Sequence, residues 1–317
     1  MISVTVILCT YNRSESLARA LKSVAATQMP ESVEWEVVVV DNNSTDGTRG
    51  VIEGFCNQNS GRFRYLLERK QGLSHARNAG IREARGKIVA FTDDDVVVEP
   101  NWLENLTTVL QGGEWAGSGG RVLPDQNFSC PNWMSPEERY GLGPLSIFDL
   151  GLDSKNLDEP PFGASMAFRK DIFEKYGGFR TDLGRSPGSL MSNEDTEFGS
   201  RLLGAGERLR YQPSAVLYHC IPQDRIQKQY FLSWWFNKAR SDLRQAGGPN
   251  GDWSIAGVPV LLFPRLGVST LRWMFTIGPR KRFLKKIAVW SRAGEIRECY
   301  RHPFREKGQL DGGNVTK

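Results

Sequence analysis

The stretch VAFTDDDVVVEP, residues 89–100, sets three consecutive carboxylates, Asp93, Asp94 and Asp95, between two apolar runs. Like charges this close repel, and each costs more the less water it keeps. A divalent cation removes that cost. Magnesium and manganese take carboxylate oxygens and commonly bridge a protein carboxylate to a substrate phosphate. The competing reading is a polar turn between two strands. It suits one aspartate better than three. A second acidic pair, Glu194–Asp195, opens an apolar-periodic segment. A carboxylate there has the type needed for a general base, although acidic residues also favour a helix N-terminus. Asp41 ends a β-branched run. It has the type to accept from a base N–H or a ribose hydroxyl, while DNNSTDG around it equally fits Asx-turn chemistry. Arg77 and Asn78 offer donors to an anionic nucleotide, or else a solvated helix face. His219 follows the apolar SAVLY, where a lone histidine is ordinarily packed or hydrogen-bonded. No GxGxxG follows the first apolar run and no GxxxxGK[ST] occurs. A dinucleotide fold and a P-loop are therefore disfavoured.

The elements that must hold these residues alternate in type. ISVTVILC, WEVVVVD, RFRYLLE and KIVAFTD read as strands, the second as one covered on both faces. SESLARALKSVAAT, DGTRGVIEGFCNQ and LSHARNAGIREAR read as helices. Asn12 followed by Glu15 suits the first helix start, and Thr45 or Asp46 caps the second. Such alternation implies an α/β fold with a mostly parallel, Rossmann-like sheet flanked by helices. The carboxyl ends of its strands line the ligand crevice. Here those ends are Thr10–Arg13, Asp41–Ser44 and Asp93–Asp95, so three polar clusters point to one site. Residues 124–160 read as a long loop. FGASMAFRKDIFEKYGGF reads as strand, short helix and turn, and NEDTEFGSRLLGAG as a helix with a glycine stop.

Four pieces, in order, resemble a family 2 glycosyltransferase with the GT-A nucleotide-sugar fold. They are VTVILCTYNR, VVVVDNNSTDGT, GLSHARNAGIREARGKIVAFTDDD, and PPFGASMAFRKDIFEKYGGF with NEDTEFGSRLLGAG. The match runs over roughly residues 3–220, and the four together are far more specific than any one. The resemblance implies an inverting single displacement from a nucleotide sugar, UDP-sugar first, with manganese or magnesium as cofactor. It implies that Thr10, Tyr11 and Arg13 wall the nucleotide pocket, that Asp41 pairs with the base, and that Arg77 supports the base and neighbouring carboxylates. Asp93 and Asp94 reach the ribose and metal side. On the same resemblance Asp95 would ligate the metal, with Asp93 and His219 as further ligands, although three adjacent aspartates leave the assignment among them open. Gly163 and Ala164 pass close to the donor sugar. The resemblance likewise implies that Asp195 is the general base and that Glu194 positions the acceptor.

Charge divides the chain. Residues 225–317 hold 18 Lys and Arg against 6 Asp and Glu, and the remainder holds 23 against 30. Five of the nine tryptophans, Trp234, Trp235, Trp253, Trp273 and Trp290, lie in that basic part. The expected organisation is a catalytic domain over 1–224, with a nucleotide-sugar half to about 123 and an acceptor half beyond it, then a basic, aromatic, amphipathic helical tail over 225–317. Ile255–Pro264 is about half the 20 apolar residues a membrane span needs. Lying in a membrane interface suits the tryptophans and cations better. The partners expected are a nucleotide sugar, a saccharide or lipid-linked acceptor and an anionic membrane. Nucleic acid is disfavoured because no recognised binding module occurs. Five scattered cysteines without a CxxC pair, and an N-terminal run too short for a secretory signal, make the cytoplasm the expected location, and the basic, tryptophan-rich tail makes the inner face of the cell membrane the expected place within it. The rival readings are a sugar-phosphate nucleotidyltransferase, whose glycine- and arginine-rich signature CTYNRSES lacks, and a non-catalytic scaffold subunit.

Overall fold

The computed structural model describes residues 2–59, 61–134, 143–248 and 254–301. Trp253, part of the 124–160 loop and the end of the basic tail lie outside the described residues. The chain forms two compact units, Met1–Phe231 and Leu232–Lys317. The division falls past the predicted Asp224, so Arg225 belongs to the first unit.

In the first unit, β1 (Val4–Thr10) and β2 (Trp35–Asp41) are buried along their whole length. Helices covering both faces of a sheet demand such continuous β-branched runs. The two strands pair in parallel, and β3 (Phe63–Leu67) and β4 (Ile88–Asp93) add in parallel on either side. The crossovers are α1 (Ser14–Ala25), α2 (Thr48–Gln58) and α3 (Leu73–Glu83). α1 buries Leu17, Ala20, Leu21 and Val24, the i, i+3, i+4, i+7 stripe of a core-facing helix. Its start differs from expectation. Arg13 is the N-cap residue, and Asn12, at φ 50°, accepts from the Thr45 N–H at 2.7 Å. Asn12 thus ties two loops together at the sheet's carboxyl edge. Register places Thr10 opposite Asp41 and Cys9 opposite Asp93, which gathers the polar strand ends.

Beyond β4 the sheet becomes mixed. The new strands are β5 (Val96–Val98), β6 (Gly117–Pro124), β7 (Lys155–Asn156), β8 (Met166–Arg169) and β9 (Leu209–His219). A short helix, α4 (Trp102–Thr107), lies between β5 and β6. The order is β3-β2-β1-β4-β8-β6-β9-β5, with β7 against β9. The parallel expectation describes the first four strands, while β8 runs antiparallel to both β4 and β6. Helices α5 (Lys170–Tyr176) and α6 (Glu194–Gly204) complete the unit's acceptor half. Phe198 of α6 stacks on Phe173 at 4.9 Å and meets Phe168 edge-on at 5.0 Å. Each such pair contributes about 0.5–1.5 kcal/mol beyond its buried area. The cluster fixes α6 against the sheet, and with it the acidic first turn.

The second unit contains the bulk of α7 (Lys228–Gln245), a two-stranded ribbon of β10 (Ser254–Ile255) and β11 (Val258–Pro259), α8 (Leu262–Phe275) and α9 (Pro279–Arg301). Its small core gathers Val258, Leu262 and Cys299, with Leu243 and Ile296 packed on them. α9 crosses α7 where a Cβ on Gly294 would lie 2.2 Å from the Phe236 carbonyl oxygen. Glu298, fully buried, accepts from Arg240 Nε at 2.9 Å and Arg244 Nε at 2.7 Å.

Candidate active site

β4 ends at Asp93, and Asp94 and Asp95 turn the chain into β5. β5 pairs antiparallel with the end of β9, Val96 opposite His219, and the Cys220 N–H donates to the Asp95 carbonyl at 2.9 Å. That pairing is what carries His219 to Asp95. Its Nε2 lies 3.4 Å from Asp95 Oδ2. Arg13 Nη1 donates to Asp94 Oδ1 at 2.9 Å and Asp95 Oδ2 at 2.8 Å. Arg225 Nη2 donates to Asp95 Oδ2 at 3.0 Å, and Thr10 Oγ1 donates to Asp94 Oδ2 at 2.7 Å. Guanidiniums therefore meet the repulsion of the triple aspartate in this structure. Burial pushes the Asp94 carboxyl up to about 6, with Arg13 opposing and Asp95 adding to the rise. Burial also works upward on Asp95, but the Arg225 and Arg13 guanidiniums outweigh it and hold Asp95 well below the usual carboxylate range.

His219 is fixed by its other nitrogen. The Leu145 carbonyl can only accept, so Nδ1 donates to it at 2.7 Å. Arg225 Nη1 lies 3.0 Å from Nε2, and a guanidinium can only donate. Nε2 therefore presents its lone pair. Neighbouring ligands of an octahedral ion with bonds of 2.0–2.1 Å lie about 3.0 Å apart. The Asp95 carboxylate and the His219 lone pair, at 3.4 Å, fit that requirement as two adjacent ligands. Among the described residues no group of three or more His, Cys, Asp or Glu side chains fits a metal ion. Remaining positions would fall to diphosphate oxygens and water, as is usual for magnesium.

The acidic pair sits at the start of α6. Asn193 precedes it at φ 78°, a left-handed conformation that asparagine tolerates better than most residues. Asp195, half-buried, accepts from the Gly163 N–H on Oδ2 at 2.8 Å and from the Thr196 N–H on Oδ1 at 2.7 Å. Arg77, 3% exposed, donates from Nη1 to Glu194 Oε1 at 2.8 Å and from Nη2 to Asp93 Oδ1 at 3.4 Å. It joins the two acidic motifs. A Cβ on Gly163 would lie 2.5 Å from Arg77 Nη2 and 2.9 Å from Asp195 Oδ2, so the close approach needs glycine. Ala164 beside it is buried. Burial, then Asp195, raises the Glu194 carboxyl to about 7, against the pull of Arg77. Glu194 Oε2 is buried without a hydrogen-bond partner among the described residues.

The remaining predicted residues divide. Tyr11 is half-buried just past β1. Asp41, 2% exposed, forms the Asx-type bond, with the Ser44 N–H on Oδ1 at 2.8 Å, and accepts from Tyr65 Oη on Oδ2 at 3.1 Å. Asn78 is a correction. Its Nδ2 donates to the Phe179 carbonyl at 2.8 Å and its Oδ1 accepts from the Phe179 N–H at 2.9 Å. Both ends hold a backbone segment in place of a nucleotide. Arg225 is the residue that sequence reasoning missed. The charge count assigned it to the tail, yet it is 6% exposed at the tip of the site. The available signal was its place six residues after His219, in the short polar turn Gln223–Ile226.

The α/β sheet, its acidic strand tip joined to an acidic helix start by the buried Arg77, has the GT-A fold. The match of residues 5–177 to Glycosyl transferase family 2 shows that the chain belongs to that family, and it is a glycosyltransferase. It is 29% identical over 254 residues to the glucosyl-dolichyl phosphate glucuronosyltransferase of Haloferax volcanii, covering 76% of this chain and 77% of that one. It is 27% identical over 254 residues to the succinoglycan biosynthesis protein ExoM of Rhizobium meliloti, covering 78% of each. The mannosyltransferase PcManGT of Pyrobaculum calidifontis, solved with GDP-Man and Mn2+, superposes with a TM-score of 0.62 at 17% identity, over 94% of this chain and 87% of that one.

Proposed function

We propose that this glycosyltransferase moves a hexosyl unit from a nucleotide sugar to a saccharide or lipid-linked acceptor in cell-surface polysaccharide or glycolipid synthesis, by single displacement with inversion. UDP-sugar is the first donor candidate. GDP-sugar is the second, since the solved neighbour binds GDP-Man. One observation carries the reading: Arg77 contacts both Asp93 and Glu194, which sets the acidic strand tip beside the acidic helix start. Asp195 takes the acceptor hydroxyl proton, its Oδ2 held by the Gly163 N–H. Glu194 beside it orients the acceptor. Asp41 faces the base, Thr10, Tyr11 and Arg13 wall the nucleotide, and Asp93 and Asp94 lie on the ribose side. Asp95 and His219 would hold a manganese or magnesium ion, which when bound supplies Lewis-acid stabilisation of the leaving diphosphate. Holding donor and acceptor in register provides most of the remaining rate gain. Thermal shifts with UDP-, GDP- and dTDP-sugars, with and without manganese, identify the donor. Asp195→Asn should keep donor binding and lose transfer by about 10²–10⁴-fold. Full activity in that variant would refute the assignment of the base.

The basic tail supports a second part of the reading, peripheral attachment to an anionic membrane at the cytoplasmic face. Among the described residues no helix is long and apolar enough to cross a membrane. α8 nevertheless exposes Phe263, Val268, Leu271, Met274 and Phe275, an outward stripe at helical spacing. Residues 254–294 carry eight Lys and Arg and no Asp or Glu. Each cation near an anionic leaflet contributes about 1 kcal/mol, and such a stripe suits burial in the headgroup boundary. Flotation with phosphatidylglycerol vesicles should carry the protein at low salt, and Leu271→Asp with Phe275→Asp should abolish it. Absence of wild-type flotation would end this part of the reading.

A further inference from the structure

Arg225 lies between the two groups that fit a divalent ion. Its Nη1 is 3.0 Å from His219 Nε2 and its Nη2 is 3.0 Å from Asp95 Oδ2. A guanidinium stays charged at any working pH, and its planar fork suits two partners at once. We propose that Arg225 is a stand-in cation. In the donor-free enzyme it neutralises Asp95 and caps the His219 lone pair. It leaves those partners when ion and diphosphate arrive together, and turns to the diphosphate. The inference rests on the metal reading above and adds an order of events to it.

Charge balance gives the reason. Arg13 and Arg225 already contact the two carboxylates of Asp94 and Asp95. Arg185 adds a third guanidinium near enough to act on Asp95. A divalent ion entering alone therefore meets neutralised carboxylates and several positive charges, and must also break two hydrogen bonds of a buried arginine. A diphosphate arriving with the ion reverses that balance. It supplies negative charge for the ion and an acceptor for the released guanidinium, which binds phosphate oxygens well. Ion and diphosphate should thus bind with strong positive coupling, which is reciprocal by linkage. The resident arginine also protects the site, because an unoccupied Asp95 would otherwise be a buried carboxylate facing a bare imidazole lone pair.

The test measures Mn2+ binding by electron paramagnetic resonance, without and with inorganic pyrophosphate, in wild type, Arg225→Gln and Asp95→Asn. In wild type, pyrophosphate should tighten Mn2+ binding by at least about 100-fold. Arg225→Gln should bind Mn2+ alone at least about 10-fold more tightly than wild type, because one positive charge has left the site. The same variant should gain less from pyrophosphate. If Arg225→Gln binds Mn2+ alone no more tightly than wild type, while Asp95→Asn loses binding, the stand-in role is wrong and the metal site stands. If wild type binds no Mn2+ even with pyrophosphate, the metal reading falls and this inference with it. Should Arg225→Gln fail to fold, Arg225→Met decides by the same criterion, since it also removes the charge. Its Mn2+ affinity must exceed wild type for the inference to survive.

Discussion

Replacing Glu194 by glutamine should stabilise the protein at neutral pH while impairing transfer. The native fold raises this carboxyl from 4.5 to about 7, chiefly by burial and then by Asp195. Between those two values the unfolded chain has lost the proton and the native protein keeps it. The native state therefore binds more protons, and stability falls as pH rises through that window. At about 1.4 kcal/mol per pH unit, the loss accumulates to about 3 kcal/mol by pH 7.5. Glutamine resembles the protonated form and has no proton to lose. Its side-chain oxygen still accepts from Arg77, and the partner-free Oε2 position loses no hydrogen bond. Asp94, raised from 3.8 to about 6, acts in the same direction at lower pH in both proteins, so it cancels in the comparison. Denaturation by urea at pH 5, 6, 7 and 8 measures the difference directly. The variant's advantage should be small at pH 5 and reach about 3 kcal/mol at pH 8. A difference independent of pH, or a variant less stable at pH 8, would refute the electrostatic account of this site.

Gly163→Ala brings a methyl to 2.5 Å from Arg77 Nη2 and 2.9 Å from Asp195 Oδ2. It should lower kcat by about 100-fold with a smaller effect on donor affinity, since misplacement by an ångström costs about that much; steady-state kinetics separates the two. Glu298→Ala leaves Arg240 and Arg244 without their buried carboxylate and should destabilise the second unit by about 3–5 kcal/mol. Limited proteolysis would show early cleavage beyond Phe231, and an unchanged cleavage pattern would count against the clamp.

The strand–helix alternation of the first four strands was legible because each segment carries its own pattern. WEVVVVD is β-branched throughout, and its burial on both faces follows from that. The stripe Leu17, Ala20, Leu21, Val24 likewise announces α1. The acidic strand tip and the acidic helix start were legible as residue types. Strands β5 and β7 were not, because they are three and two residues long and too short for any period to register. Asn78 looked like a free donor since nothing local reveals that Phe179, 101 residues on, takes both ends of its amide.

By itself the sequence determined which side chains could hold an ion, take a proton or bind a phosphate, and that strand ends would gather them. The tertiary structure alone decided their partners. Arg77 reaches Glu194 across 117 residues, and Arg225 reaches Asp95 across 130, because β9 returns beside β5 and α6 docks through its phenylalanines. Local pattern reports what a residue is and which face it occupies. The charge that will stand opposite it is set by long-range packing, and at this site the opposing charge is what sets the chemistry.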